Sequence, residues 1–361
     1  MKTPTVSVIM ATYNHASFVA QAINSVLSQR DVAFEFIIAD DGSTDRTREV
    51  VESIRDGRIR FFPNDVNRGA CVVTNELIQR STGEFIALIN SDDYWADSDK
   101  LAYQLQVMRD KPMIGACFGR ARFVDKDGRD IWKSSLPFGD VFDQENRSQG
   151  AWLRRLFDWG NCICHPTMLI RTSCYKEVGV YNNRLRQLPD YDMWIRLTKR
   201  YPIYISERSL INFRIMPGEN ASTQTATNSI RTINEHYVIA DTFFDNVDAG
   251  LLIDGFGDVL KHKDVPSHEH LDIEKAMLFF SSTNDLNKPY QMIGLLRLSR
   301  LLNSPVHHEI LGKDYGIDDR WFQLRMGDID VLRAKATAMM GYQKSLMSYL
   351  WMRLSRQFLR G

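Results

Sequence analysis

Two stretches decide the fold: Val6-Ser-Val-Ile-Met-Ala11, which runs into Thr12-Tyr13-Asn14, and Glu84-Phe-Ile-Ala-Leu-Ile89, which runs into Asn90-Ser-Asp-Asp93. Each is an apolar run of buried-strand length that stops at polar, turn-forming residues. The same phrase recurs between them. Phe34-Glu-Phe-Ile-Ile-Ala39 reads as a strand ending at Asp40-Asp-Gly-Ser-Thr44, and Arg58 to Phe62 as another, stopped by Pro63. The spacing of Phe18, Val19, Ala22, Ile23, Val26 and Leu27 predicts a helix after the first strand. A second helix carries Val50, Val51 and Ile54, and a third covers 69–80. Strands alternating with helices predict an α/β fold with a largely parallel sheet covered by helices. Ligands of such sheets bind beyond the carboxyl ends of the strands, where Tyr13, Asp41, Asp92 and Asp93 fall.

After Asp97 the alternation weakens. A helix is expected over 98–109, a strand over 114–124, a polar loop over 125–150, a strand over 167–171, a helix over 191–199 and short strands over 203–215. Beyond Asn220 the pattern is mostly helical, with helices expected over 236–244, 273–280, 291–302 and 331–359. The small polar residues of 217–227 read as a loop or linker. This gives two regions, an α/β domain over 1–225 and a helical C-terminal region over 226–361.

Composition excludes several classes. The chain has 361 residues, 44% of them hydrophobic, so it is not a disordered polymer. Its 45 Lys+Arg balance 45 Asp+Glu, which removes any bulk electrostatic case for nucleic acid. No apolar run reaches the roughly 20 residues of a membrane span. The apolar stretch near the N-terminus is too short for a signal peptide, so a cytoplasmic protein is expected. Five cysteines are too few and too scattered for a disulfide framework. Cys162 and Cys164 beside His165 lack a second ligand pair, so they read as buried thiols rather than zinc ligands.

The neutral total hides an asymmetry. Residues 331–361 carry six Lys/Arg and no Asp or Glu, leaving 39 basic against 45 acidic residues in 1–330. In that tail Met339, Leu346, Leu350, Leu354 and Phe358 fall near one helical face, with Trp351 beside them. A basic amphipathic helix of this kind suits an anionic membrane surface. The alternative is a terminal helix packed on its own domain or on a second copy in a homo-oligomer.

Acids gather at the predicted mouth of the sheet: Asp40, Asp41, Asp92, Asp93, Asp190 and Asp192. Neighbouring carboxylates repel unless something positive sits among them. Mg²⁺ or Mn²⁺ with a phosphorylated ligand satisfies that need, since such ions take one or two carboxylates and fill their shell with phosphate oxygens and water. Asp-Asp-Gly as plain turn chemistry and Asp-Asp as a helix cap are the bland alternatives, weakened because the arrangement recurs after two strands. Neither a P-loop nor a dinucleotide fingerprint is present, which favours a nucleoside diphosphate held through metal and acids.

Six segments together resemble the family-2 glycosyltransferases of the GT-A nucleotide-diphospho-sugar transferase fold. They are Val6 to Asn14, Ile23 to Gln29, Phe36 to Asp45, Asn67-Arg-Gly69, Gly83 to Asp93 and Pro189-Asp-Tyr-Asp-Met-Trp194, within residues 5–215. The resemblance implies that Asp41 accepts a hydrogen bond from the nucleotide base, that Tyr13 lies against its ring and that Ala11 lines the pocket. Asp92 would lie near the ribose, Asp93 would bind the metal at the diphosphate, and Arg68 would belong to the nucleotide loop. Asp190 matches the catalytic base, which takes the acceptor proton in a single displacement that inverts configuration. His165 matches a position near the acceptor, while Asp192 and Trp194 are expected to be structural.

Several residues depart from the pattern. Pro189 replaces the acid that commonly precedes the base, and Met216 stands where the family often has a metal-binding His. A thioether is a poor ligand for Mg²⁺ or Mn²⁺. Asp319-Arg-Trp321 lacks the Gln of the processive polysaccharide synthases, since Ile317 stands where it would be. The expected activity is therefore metal-dependent transfer of a single sugar, with UDP the expected nucleotide, to a glycan, lipid-linked or protein hydroxyl in bacterial surface-polysaccharide assembly. The competing expectation is a catalytically weak nucleotide-sugar-binding module.

Overall fold

The computed structural model of the chain describes residues 4–216, 225–282 and 287–329. Two compact units meet between His236 and Tyr237. The first unit opens with β1 (Val6–Thr12), α1 (Val19–Leu27), β2 (Phe34–Asp40), α2 (Thr47–Ser53), β3 (Ile59–Pro63), α3 (Ala70–Arg80) and β4 (Phe85–Leu88). It continues with β5 (Tyr94–Trp95), α4 (Lys100–Asp110), β6 (Ala116–Val124), β7 (Asp130–Ile131), α5 (Gln149–Trp159), β8 (Leu169–Arg171), α6 (Thr172–Val178), α7 (Pro189–Thr198) and β9 (Ile203–Arg214).

The strands form one mixed sheet in the order β3-β2-β1-β4-β8-β6-β9-β5, with β7 on β6. The half expected to be parallel is parallel: β1 pairs with both β2 and β4, and β2 with β3. Its central strands are buried on both faces, so Val6, Val8, Ile9 and Met10 are all inaccessible and the strand reads as a continuous apolar run. The other half departs from expectation. β8 runs antiparallel between β4 and β6, and β5 antiparallel to β9. The short strands expected over 203–215 are one twelve-residue strand, β9, parallel to β6 with a break in register near Gly119 and Arg120.

Helix α1 forms for the reason its spacing gives. Val19, Ala22, Ile23 and Val26 make one buried stripe against the sheet. Helices α5 and α6 were not expected. Within 149–159, Trp152, Leu153, Leu156 and Phe157 form a buried face, and the Ser148 hydroxyl caps the start by accepting from the Ala151 N–H at 3.3 Å. Trp194 on α7 is wholly buried, with Phe118 edge-on at 4.7 Å. Four cysteines are buried, Cys71 is partly so, and all five are free thiols.

Helix α8 (Ala226–Asp241) spans the division between units and begins ten residues before the expected helix. The second unit adds α9 (Ala249–Phe256), α10 (His268–Ser281), α11 (Asn287–Leu302), α12 (Pro305–Ile310) and α13 (Asp319–Asp328). A core that includes Ile273, Ala276, Leu298, Leu311 and Ile317 holds part of it together. Among the described residues no helix is long and apolar enough to cross a membrane. The basic tail of 331–361 lies outside the described residues, as does most of the 217–227 linker.

The turn after β2 is set by Gly42. Its φ is +76°, and a Cβ there would lie 2.6 Å from the Val66 carbonyl carbon. The close approach brings the 40–43 turn against the loop that carries Arg68. Gly42→Ala should therefore cost roughly 1–3 kcal/mol from backbone strain alone. Urea denaturation measures this, and an unchanged midpoint would show that the turn is not under this constraint.

Candidate active site

The site is assembled where β1, β2 and β4 end. The parallel register aligns Thr12 with Asp40, and the Thr12 carbonyl accepts from the Asp41 N–H at 2.8 Å. Asp40 turns back on its own loop, accepting from the Ser43 N–H at 3.1 Å and from the Ser43 hydroxyl. Asp41, 3% exposed, accepts from the N–H groups of Arg68 (2.8 Å) and Gly69 (2.9 Å), one at each oxygen. It thereby fixes the loop that leads into α3. The Arg68 guanidinium pairs with Glu76. Ala11 is partly exposed near the end of β1, and Tyr13, just past it, is 42% exposed. Asn14, at φ +54°, donates its N–H to the Ser43 hydroxyl and accepts from the Thr44 N–H, joining the loops after β1 and β2.

The loop after β4 carries the second pair of acids, and their surroundings differ. Asp93 is 2% exposed. One of its oxygens accepts from the Arg214 N–H at 2.8 Å, the other from Asn90 Nδ2 at 3.1 Å. Burial, reinforced by the Asp92 charge next to it, raises its carboxyl well above the ordinary range. Asp92 is more accessible, and its carbonyl accepts from Arg214 Nε at 2.7 Å. The Arg214 guanidinium also donates to the Asp125 and Lys126 carbonyls and to Gln21 Oε1 (3.1, 2.8 and 2.8 Å), between the rings of Phe18 and Tyr94. Ser91 meets His15 Nδ1 at 2.7 Å, tying this loop to the one after β1.

A third acid sits on a separate element. Asp190 is in the first turn of α7, partly exposed, with one oxygen accepting from the Tyr191 N–H (2.9 Å) and the other from Asn161 Nδ2 (2.7 Å). His165 Nε2 meets the Tyr181 hydroxyl at 2.8 Å, and its ring lies edge-on to Trp194. Burial lowers the His165 pKa, and Asp190 opposes that shift. Asp192 pairs with Arg196 at 2.8 Å. Cys164 links the two acidic sides. Burial pushes its thiol well up, and the charges of Asp93 and Asp190 add to the effect, so it feels both.

Sequence reasoning missed two anchors on the Asp190 side, Asn161 and Glu235. Glu235 on α8 is 6% exposed and accepts the N–H groups of Arg186, Gln187 and Leu188 at 2.9, 2.8 and 2.8 Å, immediately before α7. No spacing signal links either residue to Asp190. For Asn161 the one available cue is the Gly160-Asn161 pair that ends a helix.

A mixed sheet with acid-bearing loops at the ends of its parallel strands and a third acid at a helix start defines the nucleotide-diphospho-sugar transferase class. The crystal structure of Staphylococcus aureus TarS 1–349 in complex with UDP superimposes with a TM-score of 0.55 at 17% identity, covering 83% of this chain and 92% of that one, which shows the GT-A fold. Residues 7–179 match the family model described as Glycosyl transferase family 2. An uncharacterized glycosyltransferase of Methanocaldococcus jannaschii is 28% identical over 255 residues, 68% of this chain and 84% of that protein. The UDP-Glc:α-D-GlcNAc-diphosphoundecaprenol β-1,3-glucosyltransferase WfaP of Escherichia coli is 28% identical over 195 residues, 54% of this chain and 70% of that protein. Residues 7–179 are thus a family-2 glycosyltransferase domain, and the protein is a transferase.

Two stability predictions follow from the anchoring of the acids. The Asp93 carboxyl is raised in the folded chain, so its contribution to stability is full below the ordinary 3.8 and is lost as pH climbs through the raised value. Metal-free Asp93→Asn escapes that loss and should gain on wild type in melting temperature as the pH is raised above about 4. A gap that does not change with pH would refute this. Glu235→Ala orphans three amides at once and should cost roughly 2 kcal/mol or more, read by denaturant unfolding, with Glu235→Gln recovering part of it.

Proposed function

We propose that this enzyme transfers one sugar, with inversion, from a UDP-linked donor to a hydroxyl of a glycan, lipid-linked or protein acceptor. The observation that carries the reading is the split of the acids. Asp92 and Asp93 lie at the end of the parallel half-sheet and Asp190 on a separate helix, with Cys164 responding to both sides. This is the division of labour a displacement needs, with leaving-group charge handled on one side and proton removal on the other.

Ala11, Tyr13, Asp41 and Arg68 form the nucleotide side in this reading. Asp41 shapes the loop through its backbone acceptors, and the exposed Tyr13 offers its ring to the base. Mn²⁺ or Mg²⁺ suits the hard carboxylate oxygens of Asp92 and Asp93. Among the described residues no group of three or more His, Cys, Asp or Glu forms a complete cage, so donor oxygens and water would complete the shell. Asp93 would bind the ion at the diphosphate, and Asp92, the more exposed of the two, would lie near the ribose. Such an ion neutralises charge on the departing diphosphate. Asp190 removes the acceptor proton, and His165 belongs to the wall beside it.

The acceptor is most naturally one of the sugar–lipid intermediates of bacterial surface-polysaccharide assembly. The name of the Escherichia coli relative, which specifies a lipid-diphosphate-linked sugar, supports this. A cytoplasmic site, with contact at the inner membrane surface through 331–361, fits such an acceptor.

Asp190→Asn should abolish transfer while leaving donor binding nearly intact. The check is UDP release alongside thermal shift with UDP-sugars and Mn²⁺. At a donor concentration of about 100 Kd the native state gains about 2.7 kcal/mol, and wild type and variant should shift alike. Wild-type turnover in the variant would remove Asp190 from the mechanism. A flat thermal response to every nucleotide sugar would remove the donor assignment.

A further inference from the structure

Asn161 follows Gly160, whose φ of +76° turns the chain off the end of α5. Its amide orientation is determined from within. Oδ1 accepts from the Ile163 N–H at 3.2 Å, which directs Nδ2 to Asp190 Oδ2 at 2.7 Å. A second bond crosses the other way. Tyr191, next to Asp190, donates its hydroxyl to the Leu156 carbonyl in the last turn of α5 at 2.8 Å. The end of α5 and the start of α7 are thus pinned together at the residue proposed as the base.

We propose that Asn161 is a positioning residue for Asp190, holding the carboxylate plane through the Nδ2 donor. This rests on the assignment of Asp190 as the base and adds to it the group that orients that base. The bond stops rotation of the carboxylate, because the opposite oxygen is already held by the Tyr191 N–H in the same helix turn. Each oxygen then accepts one donor and keeps further acceptor capacity for an incoming hydroxyl.

The charged and titratable groups that act on or respond to Asp190 among the described residues are His165 and Cys164 ahead of β8, Tyr181 after α6 and Cys71 on α3. Burial lifts the Cys71 thiol to about 11 and raises Cys164 and Tyr181 further from their neutral-range chemistry. Burial lowers His165, so its ring is neutral above the ordinary 6.5. A donor to Asp190 therefore has its effect on the acidic side of the rate profile, through the carboxylate.

The test is UDP release from UDP-glucose and from UDP-N-acetylglucosamine with Mn²⁺, followed against pH for wild type, Asn161→Ala and Asn161→Asp. Melting temperatures are recorded for each. Losing the donor destabilises the anion, so Asn161→Ala should lower kcat about tenfold, leave the donor KM within about twofold and move the acidic limb up by about one pH unit. Asn161→Asp keeps the shape of the residue but puts a like charge against the base, and it should move the limb further. Reduced rates with the acidic limb unmoved in both variants would overturn the proposal, leaving Asn161 a structural residue. No UDP release by wild type from either donor overturns the base assignment and this proposal with it. Release by wild type with limbs that do not move overturns this proposal alone.

Discussion

The Arg214 guanidinium is the contact on which the site depends. A buried guanidinium is costly unless its donors find acceptors, and this one, 1% exposed, is satisfied by four acceptors. Gln21 comes from α1, the Asp92 carbonyl from the loop after β4, and the Asp125 and Lys126 carbonyls from the loop after β6. The N–H of the same residue holds Asp93. Segments nearly two hundred residues apart in the chain are thereby locked to the last residue of β9, next to an edge of the sheet. The aromatic faces of Phe18 and Tyr94 screen the charge and add cation–π attraction. Arrangement here precedes chemistry, because the acidic loop has its shape only while β9 is in place.

That anchoring sorts the acids. Asp40, Asp41 and Asp93 are almost wholly buried, and each accepts from at least one backbone N–H group. Asp92 and Asp190 keep part of their surface open. Six carboxylates at one rim would repel if all were open and charged. Turning three into loop anchors, and pairing Asp192 with Arg196, leaves a much smaller set facing a ligand. The raised Asp93 carboxyl is the residue of that conflict, a group whose burial is tolerable only with a positive partner nearby or a proton on it.

The parallel half of the sheet was legible because strands covered on both faces must be continuous apolar runs, and Val6 to Ala11, Phe34 to Ala39 and Phe85 to Ile89 are such runs. The antiparallel half was legible only in part. A strand was expected where β8 lies, but its antiparallel direction was not, and β5, with two residues, is too short to show any period. Helix α5 carries a readable apolar face, but Gly150 in its first turn and the polar stretch before it made 149 and 150 look like the end of a loop. The position of Asp40, Asp41, Asp92 and Asp93 in loops just after strands was legible from the apolar runs before them. Asn161 and Glu235 were not, because each acts on a partner 29 or about 48 residues away through a side chain that no spacing rule connects.

On the proposed reading, the two halves of the site face different demands. The nucleotide side must recognise a constant group, and it is built from short loops bound tightly to one another by Asn14, Ser43, Asp41 and Ser91. The base side recognises whatever hydroxyl is offered, and its supports come from α5, α7 and α8, outside the parallel half-sheet. Met216 bears on the first of these. It is 4% exposed and offers a thioether where the family often has an imidazole. An ion at Asp93 then gains most of its remaining ligands from the donor diphosphate, so ion and donor each raise the affinity for the other. By linkage the two affinities rise by the same factor. A weak protein shell for the metal is thus compatible with firm binding once both are present.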